Sequence, residues 1–148
     1  MKSGKPAKKR TLKLKVDHDF RFKLIGISCH ENDYRLVWAI NNLLGMQFVR
    51  TGNLVMHHAK LNLDLEFSRY SYQDDDRYLT YHLISNRCPD GFLFPEIKNL
   101  DFLIQITGEL TDGEQKSVIK NLKSVEIISA AFLLHPGEIK GIGQVLQE

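Results

Sequence analysis

The sequence predicts one α+β domain, a mostly antiparallel sheet of about six strands with two main helices packed on it. Three observations support this prediction: short stretches alternate apolar and polar residues, two segments have helical periodicity, and turn sequences separate them. With 148 residues, 43% apolar and 26% charged, the chain has ordinary globular composition and the length of one domain. We expect the order β-α-β-β-β-β-α-β, with a weak further helix at the end.

The first predicted strand follows a basic arm. Residues 1–10 are polar and are predicted to be disordered, so that residues 11–148 form the single domain. Apolar residues occupy even positions from 12 to 24 and charged residues the odd ones, which predicts a strand with one buried face and one charged face. His18 on the apolar face is expected to be a buried, hydrogen-bonded histidine. Residues 26–30 are expected to leave the strand.

Two segments are predicted to be helices. Residues 31–44 have candidate caps at Ser28 and Asn32 and a natural stop at Gly45. Apolar residues cover most of the circumference of this helix, so we expect it to be deeply buried or to have a second partner. Residues 111–123 form a second, amphipathic helix with Thr or Asp at its start.

Alternation and turns predict the remaining strands. We expect strands at 46–57, 61–72, 77–85, 101–107 and 125–134. The second and third of these form an antiparallel hairpin, and the first is broken near Gly52. The last is apolar on both faces, so it is predicted to be a central strand. The strands at 101–107 and 125–134 and the helix between them form a strand–helix–strand unit. Its two strands run parallel if they share a sheet.

The net charge of +2 hides an asymmetry. Residues 1–15 hold seven of the 20 basic residues and none of the 18 acidic ones, so the remaining 13 basic residues leave a net charge of −5. No apolar run approaches the roughly 18 residues that span a membrane, and no apolar segment follows the basic arm as in a secretory signal. We therefore expect a cytoplasmic chain without a membrane partner, with its two cysteines reduced.

Cys29 and His30, at the start of the first predicted helix, are the first candidates for catalysis. A thiol beside an imidazole at a helix N-terminus can be activated. Neighbours in sequence often point apart, however, and no cysteine-hydrolase signature surrounds them, so we favour a small buried cysteine. A small-molecule site or enzyme near Cys29, Arg35 and Glu96 stays as a further alternative.

Histidines and acids suggest a metal site only weakly. His57 or His58 with His82 and an acid at Asp64 or Glu66 has suitable residue types, but the spacing matches no zinc signature. The glycine-rich and catalytic motifs of nucleotide-binding proteins, lipases and zinc proteases do not occur. We expect neither a metal nor a cofactor.

The basic arm and the tyrosines suggest RNA binding as an alternative function. Cations neutralise phosphates, and tyrosines on a sheet can stack with bases. The predicted nucleic-acid contacts are Lys8, Lys9, Arg10, Arg69, Tyr70 and Tyr72. Packing of aromatic residues across neighbouring strands is the competing explanation for the tyrosines.

Three stretches resemble a known family. They are LIGISCHENDYRLVW at 24–38, LISNR at 83–87 and FPEIKNLDF at 94–102. They are similar to the signatures of the IPExxxVDY family, which is bacterial and typical of Bacteroidetes. Pro95, Glu96 and Asp101 of the naming motif are kept, whereas Phe94, Leu100 and Phe102 replace other residues. The resemblance covers roughly residues 12–135 and implies a cytoplasmic protein without an established activity.

The third stretch also has a physical interpretation. Pro95 turns the chain, Glu96 caps a short helical turn, and Asp101 opens the next strand, where it can pair with Arg87 or Arg35. We favour a structural corner. In the functional alternative a polar patch is read by a partner, and its residues are Asp33, Tyr34, Arg35, Arg87, Glu96 and Asp101.

Together these observations favour a non-catalytic cytosolic interaction or regulatory module. The partner is expected to be an unidentified protein. RNA and a second copy of the chain stay as alternative partners.

Overall fold

The computed structural model describes residues 20–146. The basic arm with Lys8, Lys9 and Arg10, the predicted strand positions before residue 20, and His18 lie outside the described residues. The elements in chain order are β1 (Phe22–Ser28), α1 (Asp33–Leu44), β2 (Val49–His58), β3 (Leu63–Asp74), β4 (Leu79–Ser85), β5 (Arg87–Cys88), β6 (Gly91–Phe92), β7 (Phe102–Thr107), α2 (Asp112–Lys123), β8 (Ala130–Leu134) and α3 (Ile142–Val145), with 3-10 turns at Pro95–Ile97 and Pro136–Glu138.

Six strands form one sheet in the order β2-β3-β4-β7-β1-β8, and every neighbouring pair is antiparallel. The predicted α+β class and the predicted order of strands and helices are therefore confirmed. β7, α2 and β8 form the expected strand–helix–strand unit. Both of its strands run antiparallel to β1, which lies between them, so they are parallel to each other.

Both faces of the sheet are covered by apolar residues. Helices α1 and α2 cover one face, which holds Ile25, Ile40 and Leu122. The segment around Phe94 and the C-terminal segment with Ile142 cover the opposite face. Of the helices between residues 20 and 146, none is both long and apolar enough to cross a membrane.

The prediction that the chain leaves the first strand at Gly26 is wrong, since of residues 26–30 only Cys29 and His30 lie outside β1. β1 continues through Ser28 because it is an inner strand, paired with β7 on one side and β8 on the other. Gly26 is part of this pairing, and a Cβ atom there would lie 2.6 Å from Leu100 Cδ1. The glycine therefore leaves room for a leucine that packs onto the strand.

The prediction of a central strand at 125–134 is also wrong. β8 is only five residues long and pairs with β1 alone, at the edge of the sheet. Val125 and Ile128 precede it in the connection from α2 and are buried in the core under the helices. The apolar run therefore consists of a buried connection followed by a short edge strand.

The change of apolar phase along β3 comes from a change of covered face. Leu65 and Phe67 belong to the core on one side of the sheet, whereas Tyr70 lies in the core under the helices. The pairing with β4 is continuous from Arg69 to Asp74, so β3 has no bulge there. The interruption near Gly52 is confirmed, since the β2–β3 register shifts between Thr51 and Leu54.

Candidate functional site

Helix α1 exposes one side to solvent. It starts after Asn32 and ends at Gly45, whose φ of 69° is the left-handed conformation typical of a glycine stop. Leu36 and Ile40 are fully buried against the sheet. Three larger apolar side chains of the helix are more than 60% exposed, namely Tyr34, Trp38 and Leu43. The helix is therefore only half-buried. Of the two expectations for its apolar surface, deep burial is wrong and a second partner remains.

These exposed side chains border a groove between α1 and residues 125–127, which connect α2 to β8. The groove has a volume of about 750 Å³. Ala39 and Val125, both nearly buried, line it together with the exposed side chains and Ile127. Its charged lining residues are Arg35 on the helix and Glu126 on the connection. We call this surface the Trp38 groove.

The residues of the predicted polar patch have several different partners. Arg87 and Asp101 do meet, with Arg87 Nε 3.4 Å from Asp101 Oδ1. The other oxygen of the buried Asp101 accepts a 2.7 Å hydrogen bond from the backbone N–H of Cys29. This carboxylate therefore ties β7 to the end of β1, and the expected pairing of Asp101 with an arginine is found at Arg87.

Of the other four residues of the patch, Asp33 shares its surroundings with Arg87, whereas Tyr34, Arg35 and Glu96 have other contacts. Asp33 lies 3.9 Å from Arg50 and lines the same polar cavity as Arg87. Tyr34 and Arg35 line the Trp38 groove instead, and Arg35 pairs with Glu31 at 3.3 Å. Glu96 accepts a hydrogen bond from the backbone N–H of Lys140, in the C-terminal segment.

Asn86 holds the corner of the chain between residues 94 and 101. It is fully buried, and its amide donates to the carbonyls of Ile97 at 3.0 Å and Leu100 at 2.9 Å. Its side-chain oxygen accepts the N–H of Phe94 at 2.9 Å. We call Asn86, residues 94–101 and Arg87 the corner. These contacts favour its structural interpretation, and Asn86 is not among the residues predicted from the sequence.

The polar cavity next to the corner has a volume of about 300 Å³, and its charged lining residues are the acids Glu31, Asp33 and Glu66 and the bases Arg50 and Arg87. Arg87 has Asp101 as its partner, and Arg50 lies near Asp33. Arg50 also donates to Asn53 at 2.7 Å. Because each arginine has a carboxylate close by, the cavity offers no free positive charge for an anion.

Cys29, Arg35 and Glu96 have different contacts, and those of Arg35 and Glu96 are described above. The thiol is fully buried in the core, and this burial raises the pKa of Cys29 above its usual value. The carboxylate of Asp101 acts in the same direction. A thiol in such surroundings stays protonated and is a poor nucleophile.

Of the tyrosines predicted to contact RNA, Tyr70 is buried and Tyr72 is half-buried. Tyr70 is 7% exposed, and Tyr72 stacks on Tyr81 with ring centroids 5.4 Å apart. Burial raises the pKa of both Tyr70 and Tyr81. Arg69 alternates with Tyr70 along β3 and so points to the opposite face of the sheet. The tyrosines do not form an exposed stacking surface.

The histidines considered for a metal site lie in different places. His57 Nδ1 is 3.0 Å from Asp64 Oδ1 at the exposed end of the β2–β3 pair. His82 Nδ1 is 2.7 Å from Ser71 Oγ, and burial together with the charge of Arg69 lowers the pKa of His82. Within residues 20–146, no three His, Cys, Asp or Glu side chains are grouped as ligands of one metal ion.

The Ser71–His82 pair joins neighbouring strands. The two residues are directly opposite each other in the β3–β4 register. The hydroxyl of Thr51 on β2 lies 3.5 Å from that of Ser71 and donates to the carbonyl of Arg69 at 3.1 Å. These contacts form a row across three strands, as polar cross-strand pairs do in sheets.

Comparison of the chain with protein-family models, with curated proteins and with solved structures finds no significant match in any of the three. The resemblance to the IPExxxVDY family therefore stays a prediction. The function has to be argued from the surfaces of the molecule.

Sequence reasoning did not identify the Trp38 groove as a site. The sequence predicts Tyr34 and Arg35 as part of a polar patch, and for the helix that holds Trp38 it leaves open deep burial or a second partner. The excess of apolar residues around the circumference of α1 was the available signal, since a half-buried helix needs only one apolar side.

Proposed function

We propose that this chain acts in the cytoplasm as a protein-interaction module that binds through the Trp38 groove. The observation that carries the proposal is the 68% exposure of Trp38 beside a groove of about 750 Å³. Single exposed apolar residues are common, but a group of them around a concavity is typical of a binding surface. Tryptophan is also among the residues that contribute most to binding at protein interfaces.

Apolar walls and a charged rim support this proposal. The lining residues Ala39, Val125 and Ile127 exclude water when an apolar side chain enters, and Arg35 and Glu126 remain accessible to polar groups of a partner. An apolar centre inside a polar rim is the usual arrangement of protein interfaces.

Affinity capture with matched variants tests the proposal. The full chain carries a tag and is compared with Trp38→Asp and with the control Val55→Asp, which places the same charge at another exposed apolar position. Neither change is expected to unfold the protein, because both side chains are more than half exposed. We expect the proteins captured by the unmutated chain and by Val55→Asp to be lost with Trp38→Asp.

Equal capture by all three chains would contradict the proposal. A nuclease-treated sample separates the RNA alternative. If nuclease removes every captured component, RNA binding replaces protein binding as the function.

A further inference from the structure

We infer that the Trp38 groove receives a second copy of this chain, paired by a two-fold axis that runs along the groove. The inference rests on the proposed function, because it names the partner of the same surface. In this pairing, α1 of one copy lies over residues 125–127 of the other copy.

The first argument is that this surface carries both a projection and a cavity. Trp38 projects from α1 with 68% of its surface exposed, and it borders a groove lined by Ala39 and Val125. A two-fold interface uses the same patch on both copies, so the patch has to be complementary to itself. A two-fold axis parallel to the groove places the α1 wall of one copy over the 125–127 wall of the other copy. Each Trp38 then enters the groove of the facing copy.

The second argument is the charge on the two walls. Arg35 lies on the helix wall, with 59% of its side chain exposed and Glu31 of the same helix as its partner, and the exposed Glu126 lies on the opposite wall. The axis that exchanges the walls brings Arg35 of each copy to the same side of the interface as Glu126 of the other, where the two side chains can pair. The same ion pair forms twice, and such rim pairs contribute specificity and orientation. A partner with a rim of one sign would match only one of these two walls.

The third argument is the area available. Tyr34, Trp38 and Leu43 together expose on the order of 400 Å² in each copy, given the usual size of such side chains. A standard interface buries about 800 Å² per partner, so the three side chains supply about half and the rim supplies the rest. We therefore expect a dimer that dissociates on dilution.

Sedimentation velocity of the full 148-residue chain over a range of concentrations tests the inference. The unmutated chain should change from one chain to two as the concentration rises. Arg35→Glu and Glu126→Arg should each weaken the dimer about tenfold or more, because each places like charges opposite one another at both symmetry-related contacts. Thermal unfolding of each variant shows that it is folded.

Mixing the two single variants is the decisive step. In the mixed dimer, each Glu at position 35 or 126 faces an Arg at the other position, so the dimer should recover to within about threefold of the unmutated chain. Recovery only on mixing supports the inference. The inference is overturned if the chain dimerises and none of the variants, including Trp38→Asp, weakens the dimer. Another surface would then form the contact.

A monomer at every concentration also overturns the inference. If such a monomer still captures another protein in a Trp38-dependent way, the interaction module stands and only the identity of its partner was wrong. If Trp38→Asp changes no capture either, both the inference and the proposed function fail.

Discussion

The corner and the Trp38 groove use side chains in opposite ways. In the corner, the polar groups of Asn86 and Asp101 are buried and have partners. In the groove, the large apolar side chains of Trp38 and Leu43 remain in water. The fold itself explains the corner, because each of these buried polar groups forms hydrogen bonds within it. It does not explain the groove, and this difference supports a stabilising role for the corner and our proposal that the groove binds a partner.

The energetic consequences differ in the same way. A buried polar group that loses its partner costs about 1–3 kcal/mol, whereas a substitution at an exposed position usually changes stability by less than about 0.5 kcal/mol. Changes in the corner should therefore unfold the protein before they affect binding. Changes in the groove should affect binding in a protein that is still folded.

Asn86→Ala should have the largest effect on stability. It removes three side-chain hydrogen bonds and leaves the carbonyls of Ile97 and Leu100 and the N–H of Phe94 without this partner. We expect a loss of about 3–5 kcal/mol in the free energy of unfolding, measured by urea denaturation. The matched control is Asn42→Ala on the exposed side of α1, expected within about 0.5 kcal/mol. Equal losses would show that the corner is not a stability element.

Chemical labelling tests the same region without a substitution. Cys29 is fully buried behind the corner and its pKa is raised by burial, whereas Cys88 is only partly buried. In the native protein at pH 8, an alkylating reagent should modify Cys29 at least about a hundredfold more slowly than Cys88, because Cys29 reacts only after opening. Mass spectrometry measures both rates, and denaturant should equalise them. Similar native rates would mean that the corner opens readily.

Gly26→Ala should have an intermediate effect. The new Cβ would lie 2.6 Å from Leu100 Cδ1 of the corner and 3.1 Å from Leu134 Cδ1, so these side chains must shift. We expect a destabilisation of about 1–3 kcal/mol from overpacking, read from the thermal midpoint. Gly113→Ala in α2 is the control, since its Cβ would meet nothing within 4 Å. That control should be neutral or slightly stabilising.

Trp38→Ala should have the smallest effect on stability. The side chain is 68% exposed, so we expect a change of less than about 0.5 kcal/mol in urea denaturation. Leu36→Ala, on the buried side of the same helix, should cost about 2–5 kcal/mol. A large loss at Trp38 in dilute protein would mean that the tryptophan packs within one chain, which would remove the contrast with the corner.

Local patterns were sufficient for much of the fold. The capped start of α2 is a clear case, because Thr111 and Glu114 form the reciprocal hydrogen bonds of a capping box and both are close in sequence. The hairpin of β3 and β4 and the turn at Pro95 follow equally local rules. The pairing of Asp101 with an arginine was also expected from the motif.

Features that depend on distant contacts were missed. The alternation before Lys23 indicated a half-exposed strand, but β1 becomes an inner strand through its pairing with β7 and β8. The apolar residues Val125 and Ile128 looked like a central strand because burial in a connection produces the same composition. For the same reason the sequence left open whether α1 is deeply buried or has a second partner, since composition does not show which apolar side of a helix meets the sheet.

The emission of Trp38 tests the central claim most directly, because it is the only tryptophan in the chain. Its fluorescence and its quenching by acrylamide are measured while the full-length protein is diluted. The account predicts a shielded indole at high protein concentration, with a shift to longer wavelength and stronger quenching on dilution. The proposal that this groove binds a partner would be contradicted if the indole stays shielded at every dilution. It would also be contradicted if the indole stays solvated at every concentration and after the captured proteins are added.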